Sequence, residues 1–371
     1  MKRQLVINGP NLNLLGQRDP ATYGHTTLAQ LEDLCRGWGT ALDVEIEVFQ
    51  SNHEGELIDT LHAARRRVDG IVFNPGAFTH SSYAIHDAIE AIELPTVEVH
   101  ISNVEEREPW RRVSVVRPAC VATIYGRGVE GYRWGIRHLV HRTEWPFETT
   151  SYADHADAVV DIRRPQGDGP HPLVVLVHGG FWRRQWTRDL MDGVAVDLTR
   201  RGFVTANIEY RRVGTGGGWP QSAQDVAAAI DTVVAAEAPG SVAVVGHSAG
   251  GHLAVMARPL VIHDYLPVSL AGVLDLRAGS ELGAGAIPRF VGDHSPGAAS
   301  PTEAAREIGP VLMLHGDADE TVPIEQSLAY GRANPESEVV TLDGVGHFDF
   351  LDRSDPAWLR VASLLEERLT A

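Results

Sequence analysis

A rhythm in the first third of the sequence constrains its fold more than any other feature. From Lys2 onward a short apolar strand is followed by a loop and then by apolar residues at helical spacing, and the unit recurs five times. QLVI precedes Leu28, Leu31, Cys35, Trp38 and Leu42; the alternating Val44, Ile46 and Val48 precede Leu57, Ile58, Leu61 and Val68. GIVF, ending at Phe73, precedes Ala84, Ile85, Ala88, Ile89 and Ile92, while TVEVHI and CVATIYG supply two further strands. A closing helix carries Val129, Tyr132, Ile136 and Leu139. Strands separated by crossover helices pair in parallel, so the expectation is an α/β fold beginning with a flavodoxin-like five-stranded parallel sheet covered on both faces.

At 371 residues the chain exceeds one ordinary core. HRTEWPFETTSYADHADA follows neither period and holds a proline, which sets an expected linker at residues 143–150, after a first domain at 1–142. Across 151–371 the alternation resumes with PLVVLVHGG, FVTANIEY, SVAVVGHS, VSLAGVLDL, PVLMLHGDAD and EVVTLDG, the pattern of a second α/β domain. The net charge of -17 argues against nucleic acid or an anionic membrane as partner. No apolar run approaches the roughly 18–20 residues that span a bilayer, and the N-terminus lacks the apolar core of a signal peptide, so the expected location is cytoplasmic. Lys2 is the only lysine, which removes Schiff-base, pyridoxal phosphate and P-loop lysine chemistry together. Cys35 and Cys120 are too few for a disulfide framework or a thiolate metal site and read as core. The expected chemistry uses no cofactor and no metal.

In open parallel sheets ligands bind at the carboxyl ends of the strands. Asn11, Arg18 and Tyr23 follow the first strand, Asn74 and His80 the third, and Glu98, His100 and Ser102 end the fourth. INGPNLNLLGQRDPATYG, FNPGAFTHSSYAIHDAI, VEVHISN and REPWRRVS together resemble the type II 3-dehydroquinate dehydratases, and the resemblance covers Gln4 to Leu139. Asp19 and Val113 depart from residues common in that family. The resemblance implies a lyase of the shikimate or quinate pathways that eliminates water from a β-hydroxy ketone through an enolate. Such a reaction needs a base, a group that holds the enolate charge and an acid for the departing hydroxide. Tyr23 is the expected base, with the Arg18 cation favouring its ionised form, since an ordinary phenol has a pKa of about 10. Asn11 orients a water against the enolate oxygen, His100 protonates the leaving hydroxyl, and Glu98 orients the His100 ring. By resemblance, Asn74, His80, Ile101, Ser102 and Arg111 hold the small-molecule substrate, Asp87 reaches in from a neighbouring subunit, and the chain assembles as a homododecamer through this domain.

The second half carries its own constellation. VVGHSAGGH places Ser248 within G-x-S-x-G, between a strand and a helix. Asp319 and His347 follow later strands, in the Ser, Asp, His chain order of the α/β-hydrolase triad, with Asp317 as rival to Asp319. Backbone N–H groups of Gly180, Phe181 and Ala249 form an expected oxyanion hole. HGGFW, GHSAGGHL, LDLR and HFDFLD resemble the small carboxylesterase and kynurenine formamidase group of α/β hydrolases. This implies hydrolysis of a compact ester or amide, N-formylkynurenine being one candidate, with Phe181, Trp182 and Trp186 expected as aromatic walls. The alternatives are a working hydrolase on an inert oligomerisation scaffold, and a flavin module that the first loop, lacking a Ser/Thr-rich phosphate grip, disfavours.

Overall fold

β1 (Lys2–Asn8) pairs in parallel with β2 (Val44–Gln50) on one side and β3 (Gly70–Asn74) on the other. β4 (Thr96–His100) and β5 (Ala122–Tyr125) extend the sheet to the order β2-β1-β3-β4-β5, the expected flavodoxin-like sheet. The computed structural model describes residues 2–167 and 169–370 and separates into two compact units, Met1–Glu144 and Trp145–Ala371. Among the described residues, no helix is long and apolar enough to cross a membrane.

The period of two along each strand divides the first unit's core between the two faces of its sheet. Val6, Val72, Val97 and Val99 pack with Leu31, Cys35, Tyr132 and Ile136 on one face; Leu5, Ile7, Ile71 and Phe73 pack with Leu57, Leu61, Ile85 and Ile89 on the other. The helix Leu28–Ala41 starts at a capping box between Thr27 and Gln30, which satisfies two otherwise orphaned N–H donors. Near its end Gly39 permits close approach to the sheet: a Cβ there would fall 2.3 Å from Ile46. The parallel register sets Asn8 opposite both Gln50 and Asn74, and His100 opposite Tyr125, so the polar strand ends share one edge. The chain first leaves β1 towards β2 and then returns to its other side, which makes the β1/β3 boundary the topological switch point.

The second unit is an eight-stranded sheet. Its strands are β6 (Glu148–Ser151), β7 (Val159–Arg163), β8 (Leu173–Val177), β9 (Val204–Ile208), β10 (Val242–His247), β11 (Leu266–Leu270), β12 (Leu312–Gly316) and β13 (Glu338–Leu342). They run in the order β13-β12-β11-β10-β8-β9-β7-β6, antiparallel only at β6/β7 and β7/β9. Residues 143–150, expected as linker, are largely structured: the helix Glu130–Glu144 runs into them, and β6 begins at Glu148. β6 is a mostly exposed edge strand. With no face to bury, its sequence ETTS carries no apolar alternation for a periodicity argument to find.

Buried charge anchors the parallel core of this unit. Arg163, fully buried, donates to Asp192 at 3.1 Å and lies over the Phe147 ring. His178, just beyond β8, lies 2.7 Å from Glu209 through its Nε2, and Arg212 lies 3.2 Å from the same carboxylate. Burial opposes a charge on Glu209, but the Arg212 and His178 charges outweigh it and hold the carboxyl at about 2, against an ordinary 4.5. A carboxyl depressed on folding contributes stability that is complete above its unfolded pKa and is lost as pH falls towards the folded value. Urea unfolding stepped from about pH 5 to about pH 3 therefore yields a falling stability for the second unit. Glu209→Gln flattens that slope; an equal slope in the variant contradicts the assignment.

Candidate active sites

The loop after β1 is shaped by its turn residues. Asn11 adopts a left-handed conformation (φ 67°) with its N–H on the Asn52 side chain at 2.9 Å. Asp19 caps the short helix Pro20–Tyr23 through the N–H of Ala21 and the hydroxyl of Thr22. That helix turns Tyr23 back onto Arg18: Nη2 donates to the phenol oxygen at 2.7 Å, and the guanidinium lies 3.7 Å from the ring centroid. A second cation reaches the same oxygen. Arg107 Nη1 donates to it at 2.8 Å and also to the Ser102 hydroxyl at 3.2 Å. Tyr23, Ile101, Ser102 and Arg107 line a cavity of about 610 Å³.

Sequence reasoning singled out Arg111 and missed Arg107. Arg111 pairs with Glu108 at 2.9 Å and covers the Trp110 ring at 4.0 Å. The available signal was the density of arginine in REPWRRVS, but which one reaches Tyr23 depends on the path of a non-periodic loop.

At the end of β4, His100 donates through Nε2 to Glu98 at 2.8 Å, which leaves Nδ1 as its other polar atom. Glu98 is fully buried and also accepts from Thr79 and Ser114. Burial pushes its carboxyl up, yet the hydrogen bonds from His100 and Thr79 and the Arg117 charge bring it below the usual range. His80 donates through Nδ1 to the Val113 carbonyl at 2.6 Å, and burial lowers its pKa, favouring the neutral ring. Asn74 is buried at the end of β3, whereas Asp87 is exposed on the helix Tyr83–Ile92. Within one chain Asp87 lies on the outer surface.

In the second unit Ser248 sits in a strained elbow (φ 56°, ψ −120°) between β10 and the helix Ala249–Met256. The flanking glycines are obligatory: a Cβ on Gly246 would fall 2.1 Å from the Gly250 carbonyl oxygen, and one on Gly250 the same distance from that of Val177. His347 donates through Nδ1 to Asp319 Oδ2 at 2.6 Å, while Asp319 Oδ1 accepts the N–H groups of Thr321 and Val322 at 2.8 Å each. Burial pushes the Asp319 carboxyl up, but His315, 3.5 Å away, together with His347 and the Val322 N–H outweighs it and holds the carboxyl far below the ordinary range. The rival Asp317 accepts the Gly344 N–H at 2.7 Å, which commits it to the turn after β13. His247, absent from the sequence argument, donates through Nε2 to the His347 carbonyl at 2.8 Å and so ties the elbow to the histidine loop. Burial holds its pKa at about 3, which keeps it neutral.

The N–H groups of Gly180, Phe181 and Ala249 donate to no group among the described residues. Gly180 and Phe181 have positive φ, 107° and 51°. Trp182 departs from the expected aromatic wall: it is fully buried and stacked on Phe290 at 4.1 Å. Phe348, 46% exposed, lies beside His347 and is stacked at 6.3 Å with the half-buried Trp186.

A family model described as dehydroquinase class II matches residues 2–140, and one described as BD-FAE matches residues 160–263. The 3-dehydroquinate dehydratase of Marinomonas sp. is 54% identical over 147 residues, which cover 38% of this chain and 98% of that protein. The second unit's fold matches a thermophilic esterase of Thermogutta terrifontis with propionate bound, at TM-score 0.50 and 24% identity over 60% of this chain and 93% of that one. It also matches a truncated carbohydrate esterase from gut microbiota, at TM-score 0.53 and 18% identity over 62% and 99% of the two chains. Through its first unit the chain belongs to the type II dehydroquinase family, and it carries in the same polypeptide a second α/β unit that shares the fold of those esterase structures and that the BD-FAE model matches in part.

Proposed function

We propose that the chain is a bifunctional enzyme that dehydrates 3-dehydroquinate to 3-dehydroshikimate in its first unit and hydrolyses a small ester or amide in its second. The observation that carries the first activity is the meeting of Arg18 and Arg107 on the Tyr23 oxygen. Charge-assisted donors of this kind stabilise an anionic oxygen. Tyr23 takes the proton α to the ketone, and a water oriented by Asn11 faces the enolate oxygen. His100, aligned by Glu98, protonates the departing hydroxyl. Asn74, His80, Ile101, Ser102 and Arg111 hold the carboxylate and hydroxyls. Asp87, exposed within one chain, serves a neighbouring subunit's site in a homododecamer, and the enzyme works in the cytoplasm.

In the second unit His347 takes the Ser248 proton while Asp319 fixes the tautomer of its ring. The N–H groups of Gly180, Phe181 and Ala249 hold the oxyanion. Neither mechanism draws on a metal or a cofactor. Trp186 and Phe348 offer the aromatic faces against which a compact substrate rests.

Adding 3-dehydroquinate to the purified chain produces the enone absorbance of 3-dehydroshikimate. In Tyr23→Phe that rate falls by at least about 10², the worth of a positioned base, while ester turnover is unchanged. Retention of even a tenth of the rate rules out Tyr23 as the base. For the second unit, comparing kcat/KM for N-formylkynurenine with that for p-nitrophenyl acetate assigns the substrate class. A higher value for the formamide is expected of a formamidase, and one well below the ester's leaves an esterase.

A further inference from the structure

The dehydratase reading asks Asn74 to present its side-chain amide to the substrate, and the surrounding contacts fix how that amide is turned. Asn74 ends β3, with its Oδ1 accepting the Gly76 N–H at 3.1 Å and its carbonyl accepting the Gly9 N–H at 2.8 Å. Its Nδ2 donates one hydrogen to the phenol oxygen of Tyr132 at 2.9 Å. Tyr132 lies on the helix Glu130–Glu144, is fully buried, and donates its own hydroxyl hydrogen to Asn8 Oδ1 at 2.6 Å. One hydroxyl therefore accepts from the last residue of β3 and donates to the last residue of β1. Asn8 and Asn74 are register partners at the topological switch point, where an open α/β sheet forms its ligand crevice.

A buried tyrosine ordinarily finds some partner for its hydroxyl, so satisfaction alone implies nothing. Here both capacities of the hydroxyl are spent on the ends of neighbouring strands, and together with the Gly76 N–H they determine which end of the Asn74 amide is oxygen and which is nitrogen. Burial pushes the Tyr132 phenol far above its ordinary pKa, so the proton it donates stays in place. One Nδ2 hydrogen of Asn74 is left to donate.

We propose that Tyr132 is a positioning residue for the dehydratase: its hydroxyl holds the Asn74 amide in the one orientation that points an N–H donor at the carboxylate or hydroxyls of the substrate. The inference rests on the dehydratase reading given above. Asn74 binds groups that the reaction retains and whose charge it leaves unchanged, so its contact is equally present in ground and transition states. Loss of such uniform binding raises KM and spares kcat.

The test uses the full chain. Tyr132→Phe retains the ring and removes only the oxygen; with assembly size and far-UV circular dichroism as in wild type, KM for 3-dehydroquinate is expected to rise about 5- to 20-fold with kcat within about two-fold. In an Asn74→Ala background, adding Tyr132→Phe is expected to change KM by less than about two-fold, because the residue acts through Asn74. A folded Tyr132→Phe variant with unchanged KM, a fall in kcat at constant KM, or a full KM effect in the Asn74→Ala background overturns the proposal. Should Tyr132→Phe not fold, Asn8→Ala, which frees the hydroxyl from its acceptor, carries the same expectation, and an unchanged KM there overturns it equally. A wild-type chain that does not turn over 3-dehydroquinate overturns the dehydratase reading and this inference together. An active wild type beside an unaltered variant overturns the inference alone.

Discussion

Parallel pairing is the constraint from which the rest of the molecule follows. Because every crossover returns the chain to the same starting edge, the carboxyl ends of all parallel strands gather on the opposite edge, and the loops that leave them meet there. In the first unit this brings Asn8, Asn74 and His100 to one edge from distant parts of the sequence. In the second it sets the turn after β8, the Ser248 elbow after β10 and the Asp319 loop after β12 on one edge of a single sheet. The hydrophobic strand interiors provide the rigidity, and the polar loops provide the chemistry.

The two units meet their electrostatic problems in different ways. The first gathers two full cations, Arg18 and Arg107, on a single phenol oxygen, and backs its histidine with a buried carboxylate. In the second, the N–H groups of the positive-φ residues Gly180 and Phe181 donate to no group among the described residues, and the neighbouring His247 is kept neutral by burial. Deeper in this unit, His178, Glu209 and Arg212 brace the strand end that leads into the Gly179–Gly180 turn. A proton abstraction next to a ketone and an acyl transfer both develop an oxyanion, and the function proposed for each unit requires donors for one.

Much of this was legible in the sequence because strand and helix periods are properties of local spacing. All five strands of the first sheet and six of the second stood out as apolar runs, and the turn motifs between them fell at the strand ends where loop chemistry concentrates. What was not legible depends on three-dimensional reach. Arg107 meets Tyr23 across 84 residues through a loop with no period. Trp182 looked like a pocket wall because it follows the HGG turn, but its positive φ of 54° turns the indole inwards onto Phe290. β6 escaped notice because an exposed edge strand has no apolar face to record. Tyr132 read simply as a core residue at helical spacing, since nothing in a period of 3.6 says where a hydroxyl will point.

We propose that one polypeptide contributes to two chemically separate sites. The most direct test is to modify Ser248 stoichiometrically with a fluorophosphonate, confirm a single adduct by mass, and follow enone formation from 3-dehydroquinate in the modified chain. Ester turnover is expected to disappear while the dehydration rate is unchanged. Loss of both activities, or ester turnover that survives full modification of Ser248, would contradict it.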